Sequence, residues 1–287
     1  MVLRPGFEPG STGWMGHAVR VDIQSLEEFG KFLKVDLGLA EKTVWRYVYE
    51  MEKFFGCCEK QPITRVLLRD YLEPLEVEPR NTALKAFRRF FRDFVGRGEL
   101  VSSFRFIKRP PKLRINLPTK EGLRRAFDAL ETLRDRVLLL LYASSGLRRQ
   151  EILDLTFDDV DFGKRMLVPN RNSRTKHAYV SFYNEEAEKI LEEYLQKNRL
   201  GPMLFPVTWN AYHKAQRKVY SRTGVKVNPQ ILRDWFCNEM GELSVPDRYI
   251  DAFCGRVPRS ILARHYTDYS PKRLKAIYDK ANLKVLA

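Results

Sequence analysis

The segment KRPPKLRINLP, residues 108–118, constrains this chain more than any other. Pro110 and Pro111 lack backbone donors and hold the residues before them extended, and Pro118 does the same to Leu117. No helix can run through it. Four of its eleven residues are basic, so the extended stretch also attracts anions. The chain is therefore expected to build two cores, one on each side of a basic linker. A length of 287 residues fits that division, since a domain typically holds roughly 100–200.

Residues 21–107 read as a helical domain. Ser25 followed by Glu28 has the form of a capping box, with Leu26, Phe29 and Leu33 then at helical spacing. A second helix is expected over 41–55, with Val44, Val48, Met51 and Phe55 on one side and Lys42, Arg46 and Lys53 off it. A third covers 63–72. The fourth, over 81–95, carries an apolar stripe of Leu84, Phe87, Phe91 and Phe94, with Lys85, Arg88, Arg89 and Arg92 on another face. A merely solvated face usually mixes Lys with Glu, and this one is read as one-signed. Phosphate contact by these four, and by Lys112 and Arg114 of the linker, would position the protein without reading sequence. Simple solvation is the alternative.

After the linker, Thr119 can cap a helix bearing Leu123, Phe127, Leu130 and Leu133. Residues 119–287 are expected to be mainly helical, with one β-hairpin whose strands are 165–168 and 178–182. The fold class is thus mainly α with a small β-hairpin or sheet, in two domains. Residues 1–20, which include LRPGFEPGS, have no periodicity and read as a flexible tail.

Fifty-one Lys and Arg against 36 Asp and Glu give a net charge of +15. Such an excess attracts polyanions. Nucleic acid is favoured over a membrane surface, because the basic residues lie on helices whose apolar faces a core needs. No window reaches the ~18 apolar residues of a membrane span; VLLLLYA at 137–143 is too short. The N-terminus lacks a signal peptide's apolar core, so a cytoplasmic protein is expected. Cys57, Cys58, Cys237 and Cys254 have no zinc spacing and only four histidines exist, so reduced, mostly buried thiols and no metal or cofactor are expected.

Four pieces of the second domain carry chemistry together. SSGLRRQEILDL (144–155) places Gly146 at a helix end, Arg148 at the start of the next helix and Glu151 within reach of its guanidinium. NRNSRTKHAYV (170–180) places Lys176 on the hairpin loop, beside Arg174. PQILRDWF (229–236) sets Arg233 in a helix, one turn after Gln230. FCGRVPRSILARHYTDYS (253–270) contains Arg256 and Tyr266. A phosphodiester under attack gains charge on its non-bridging oxygens, and guanidiniums can hold these by charge-assisted hydrogen bonds. A tyrosine can be the nucleophile and a lysine the general acid.

The order and spacing of these pieces resemble the tyrosine recombinase (phage integrase) family. The family pattern is an arginine in T-G-L-R-x-x-E-L, a hairpin lysine, H-x-x-R, a G-H pair and a tyrosine about ten residues on. Gln230 and Arg256 stand where the family usually has histidine, which looks more like the archaeal integrases of fuselloviruses and related plasmids. The resemblance implies a helical core-binding domain before the linker and a catalytic domain after it. It implies phosphate binding by Arg148, Arg233 and Arg256, with Gln230 as a neutral donor, Lys176 as general acid and Tyr266 as nucleophile. It further implies a 3′-phosphotyrosyl link, double-stranded DNA attachment sites as partner, and a homo-tetramer on DNA from a monomer when free.

Plainer readings stand beside each. Tyr266 could be a packed tyrosine, with Tyr269 next in line; Arg256 could serve a structural ion pair; Gln230 could satisfy a helix neighbour. His265 reads as non-catalytic, since adjacent residues on a helix point apart. The helix after Tyr266 either joins protomers or closes its own domain. A type IB topoisomerase shares this chemistry, and an inactive architectural DNA-binding protein would share the charge. Finally, Arg-Pro-Gly-Phe-Glu-Pro-Gly at 4–10 can be encoded by DNA containing GGGTTCGAACCC. That resembles the T-arm of a tRNA gene, as expected if the recombination site lies within the gene itself.

Overall fold

A computed structural model describes residues 23–58, 61–108, 116–169, 180–198, 201–256, 261 and 265–286. The chain divides into two compact units, Met1–Lys112 and Leu113–Ala287, and the division falls inside the proline segment. The tail, Lys112, Arg114, Arg174 and Lys176 lie outside the described residues.

The first unit is helical: α1 (Ile23–Val35), α2 (Glu41–Cys57), α3 (Arg65–Leu72) and α4 (Val77–Phe87). Ser25, expected as the first residue of a capping box, lies inside α1, two residues after its described start at Ile23. Thr64 caps α3, its hydroxyl accepting from the Leu67 N–H at 3.2 Å. The helix expected over 81–95 changes type: α4 passes at Arg88 into a π-helical segment, Arg88–Phe94. Each turn there holds an extra residue, and Phe90 and Phe91, adjacent in sequence, are both buried. The Phe90 ring meets Phe29 at 5.0 Å and Phe55 at 5.4 Å; Phe54 meets Phe87 at 4.8 Å. A core of edge-on aromatic rings results.

The second unit begins with α5 (Lys120–Asp128), capped by Thr119, whose hydroxyl accepts from the Gly122 N–H at 3.0 Å. The helix stops short of Leu133. Thr132 takes the Asp135 N–H at 3.1 Å and starts a new helix there, α6 (Leu133–Ser145). From Val137 to Ser145 every residue of α6 is buried, which makes it the unit's axis. Then follow α7 (Arg149–Leu153) and three short strands, β1 (Val160–Asp161), β2 (Met166–Leu167) and β3 (Ser181–Phe182). They pair antiparallel in that order, with Val160 opposite Leu167 and Leu167 opposite Ser181. The expected hairpin is β2–β3; β1 adds an edge that two residues could not announce. Among the described residues, five further helices follow: α8 (Glu185–Lys197), α9 (Trp209–Thr223), α10 (Pro229–Glu242), α11 (Asp247–Phe253) and α12 (Pro271–Ala281).

The segment beyond Tyr266 closes its own unit, the plainer of its two readings. Leu274, Tyr278, Leu283 and Val285 are buried in the core built on α6. The Tyr278 hydroxyl donates to the Ser144 carbonyl at 2.8 Å. The Val285 and Leu286 N–H groups donate to the Glu186 carboxylate at 2.6 and 3.1 Å, and Arg124 Nε donates to the Leu286 carbonyl at 2.8 Å. Residues 282–286 thus form a strap between α8 and α5. Among the described residues no helix is long and apolar enough to cross a membrane.

Candidate active site

The site starts where α6 ends. Gly146 takes a left-handed conformation, φ 64°, that stops the helix. A Cβ here would overlap the Phe236 ring and meet Cys254 Sγ at 3.1 Å, so glycine is required twice over. Two residues on, Arg148 opens α7. Its N–H donates to Glu151 Oε2 at 2.7 Å and its Nη1 to Oε1 at 2.8 Å. Glu151 is buried, and it fixes both the helix start and the guanidinium. The expected pairing of Arg148 with the acid three residues on is present.

Arg233 projects from α10 and is 5% exposed. Its Nη1 donates to the Gly146 carbonyl and its Nη2 to the Cys254 carbonyl, both at 2.7 Å. Arg148 Nη2 donates to the next carbonyl, that of Gly255, at 3.3 Å. Arg256 follows directly in the chain, its Nη1 on Asp251 Oδ1 at 3.1 Å and its Nη2 3.7 Å from Cys237 Sγ. Three successive residues, 254–256, therefore assemble three arginines from three distant parts of the sequence. Burial lowers the Arg233 pKa, and Arg148 and Arg256 lower it further by like charge. Burial also works against the charge on Arg256, but Cys237, Cys254 and Asp251 outweigh it and hold that guanidinium above its usual value.

The other candidates are placed as follows. Gln230 is exposed, one turn before Arg233, and donates to Asp234 Oδ1 at 3.0 Å. Tyr266 is 78% exposed. Tyr269 differs: its ring packs on Tyr249 with centroids 6.1 Å apart, and its hydroxyl is buried with no hydrogen-bond partner among the described residues. Of the two tyrosines, Tyr266 has the accessible hydroxyl.

Residues 118–273, more than half of the chain, match the family model described as the phage integrase family. The chain belongs to that family. It is 27% identical over 283 residues to tyrosine recombinase XerA of Pyrococcus horikoshii, covering 92% of this chain and 95% of the relative. It is 25% identical over 294 residues to tyrosine recombinase XerC of Pelobacter propionicus, covering 91% and 96%. Its fold is similar to a λ integrase dimer bound to a COC′ core site, with TM-score 0.65 at 14% identity, covering 87% of this chain and 96% of that one. XerH bound to difH in a pre-cleavage complex is similar too, with TM-score 0.59 at 19% identity, covering 88% and 82%. This recombinase is thus an enzyme that breaks and rejoins DNA strands.

Two surfaces of the recombinase differ from the sequence picture. In the first unit Arg89 and Arg92 both grip Asp93 at 2.7 Å, and their hydrogen bonds, that from Arg92 foremost, hold its carboxyl below the usual range. Arg88 donates to the Phe104 carbonyl at 2.7 Å and covers the Phe106 ring at 4.5 Å, while Lys85 is exposed. The face is less one-signed than its four basic residues suggest, because Asp93 sits among them. In the second unit, sequence reasoning missed α9. His213, Lys214, Arg217 and Lys218 line an open groove of about 590 Å³. Trp209 stacks on His213 at 5.3 Å and takes Arg149 on its ring at 4.4 Å. The signal was present as basic residues at positions i, i+3 and i+4 of a helix.

Proposed function

We propose that this chain is a site-specific recombinase that cuts and rejoins double-stranded DNA through a 3′-phosphotyrosyl intermediate, integrating an archaeal virus or plasmid at a tRNA gene. One observation carries the mechanism: Arg148, Arg233 and Arg256 gather on the carbonyls and side chain of residues 254–256. A scissile phosphate beside them would meet donors already fixed by the fold, which need little reorganisation as charge develops. The Tyr266 hydroxyl attacks phosphorus and gives up its proton to solvent, a P–O bond forms to the tyrosine, and the bond to the 5′-oxygen breaks. Lys176 supplies the proton that the departing oxygen takes. Gln230 adds a neutral donor. A 5′-hydroxyl from a second strand reverses the step and restores the tyrosine. The phosphodiester bond is exchanged, so no nucleotide triphosphate is consumed.

DNA as partner is supported by the charge of +15 and by fold neighbours solved with DNA, one a λ integrase tetramer on a Holliday junction. A homo-tetramer of this chain on paired sites, in the cytoplasm, follows the same reading. The mobile-element part rests on the residues at the two histidine positions and on the peptide at 4–10, whose codons can spell a tRNA T-arm.

The test is covalent trapping. Purified protein is mixed with a nicked duplex carrying the DNA that encodes residues 1–20, beside Tyr266→Phe and Tyr269→Phe. A protein–DNA adduct lost only in Tyr266→Phe is expected. Adduct on any duplex points to a topoisomerase, and binding without adduct to an architectural protein.

A further inference from the structure

The arginine cluster has two thiols beside it that the cleavage chemistry does not use. Cys237 on α10 and Cys254 at the end of α11 are 17 residues apart in sequence, and their sulfurs are 3.5 Å apart. Cys254 is fully buried, against the Gly146 turn; Cys237 is partly exposed and 3.7 Å from Arg256 Nη2. We propose that Cys237 and Cys254 are an oxidation site, closed to a disulfide by a peroxide, and that closure switches off strand cleavage. The proposal rests on the reading that the three arginines hold the scissile phosphate.

The neighbourhood prepares Cys237 for this role. The hydrogen bond with Cys254, together with the Arg256 and Arg233 guanidiniums, draws its pKa down against burial; the same exchange pushes Cys254 up. A thiol drawn toward its thiolate, partly exposed and 3.5 Å from a second thiol, is the arrangement of redox-sensing cysteines. The Cys237 thiolate attacks a peroxide oxygen: an S–O bond forms, the O–O bond breaks, and hydroxide leaves to become water with a proton from solvent. The Cys254 sulfur then attacks the Cys237 sulfur. The S–S bond forms, the S–O bond breaks, and the second hydroxide takes the Cys254 proton. Two thiols lose two electrons and one peroxide becomes two waters.

Closure moves the site. A disulfide is about 2.05 Å long, so the sulfurs must approach by about 1.5 Å. Cys237 loses the negative charge that Arg256 faces, and residue 254 is drawn while its carbonyl still takes Arg233. Both arginines would leave their places together.

The test uses the full chain, reduced or treated with hydrogen peroxide, in the trapping assay and by peptide mass spectrometry. Expected is a Cys237–Cys254 linked peptide lighter by two hydrogens, an adduct yield lower by about a hundredfold, and recovery with dithiothreitol. In Cys237→Ser and in Cys254→Ala, each compared with its own reduced state, peroxide should leave the yield unchanged. Absence of the linked peptide overturns the proposal, as does a linked protein that still cleaves, or equal loss in either variant. Absence of adduct in the reduced protein sinks the cleavage reading, and the switch with it, whatever the mass shows.

Discussion

Arg233 joins the fold and the proposed chemistry in one side chain. Two of its five N–H donors tie the Gly146 and Cys254 carbonyls together, which leaves three for an anion. A lysine would keep the charge but lacks the fork that spans two carbonyls at 2.7 Å each. Arg233→Lys should therefore lower adduct formation by about 10²–10³-fold. Arg233→Ala should also cost about 2–4 kcal/mol of stability, because two buried carbonyls lose their donors. Adduct yield and denaturant unfolding of both variants check this; a fully stable Arg233→Ala would mean that the carbonyls do not depend on the side chain. Tyr266 offers the opposite case, a side chain that the fold leaves exposed and that its removal should not destabilise.

Among the elements, the end of α6 sets the geometry, and Gly146 is its least replaceable position. Gly146→Ala must place a Cβ in left-handed backbone and against Phe236, so a loss of about 2–4 kcal/mol is expected in thermal unfolding. An unchanged melting temperature would show that the turn can re-form. This turn was legible, because glycine after an apolar run followed by a charged helix start is strong punctuation. The helices of the first unit were legible for a similar reason: Phe and Leu recur at helical spacing. The π segment was not, since a period of 3.6 residues is assumed in reading the stripe and Phe90 falls outside it. The break between α5 and α6 was hidden because Leu130 and Leu133 keep the spacing across it. In the candidate site, Arg148, Arg233, Arg256 and Tyr266 were singled out by their order along the chain, and the structure gathers the three arginines around residues 254–256. Their anchoring was not legible: the acceptors at 146, 254 and 255 are main-chain carbonyls, which every residue has. The approach of Cys237 to Cys254 likewise needed the fold, whereas Asp93, four residues after Arg89 and next to Arg92, was legible in the sequence and passed over.

For the whole molecule, two units with separate cores sit on either side of one proline segment, and the second has its last residues built in. Truncation after Lys272 would remove Leu274, Tyr278, Leu283 and Val285 from that core. Their burial is worth about 6–12 kcal/mol together, comparable with the entire stability of an ordinary domain. The truncated chain should lose cooperative unfolding of the second unit, seen by circular dichroism, before any question of assembly arises. A truncated protein that melts normally and fails only to form tetramers would restore the assembly role. The strap has a mechanical meaning as well. Arg124 of α5, the first helix after the linker, holds the Leu286 carbonyl; the strap leads back to α12; Tyr278 of α12 holds Ser144; and two residues on, the Gly146 carbonyl holds Arg233. Each step of that path is a hydrogen bond or continuous backbone. Load entering the second unit at α5 would be borne by the same contacts that hold Arg233 in place.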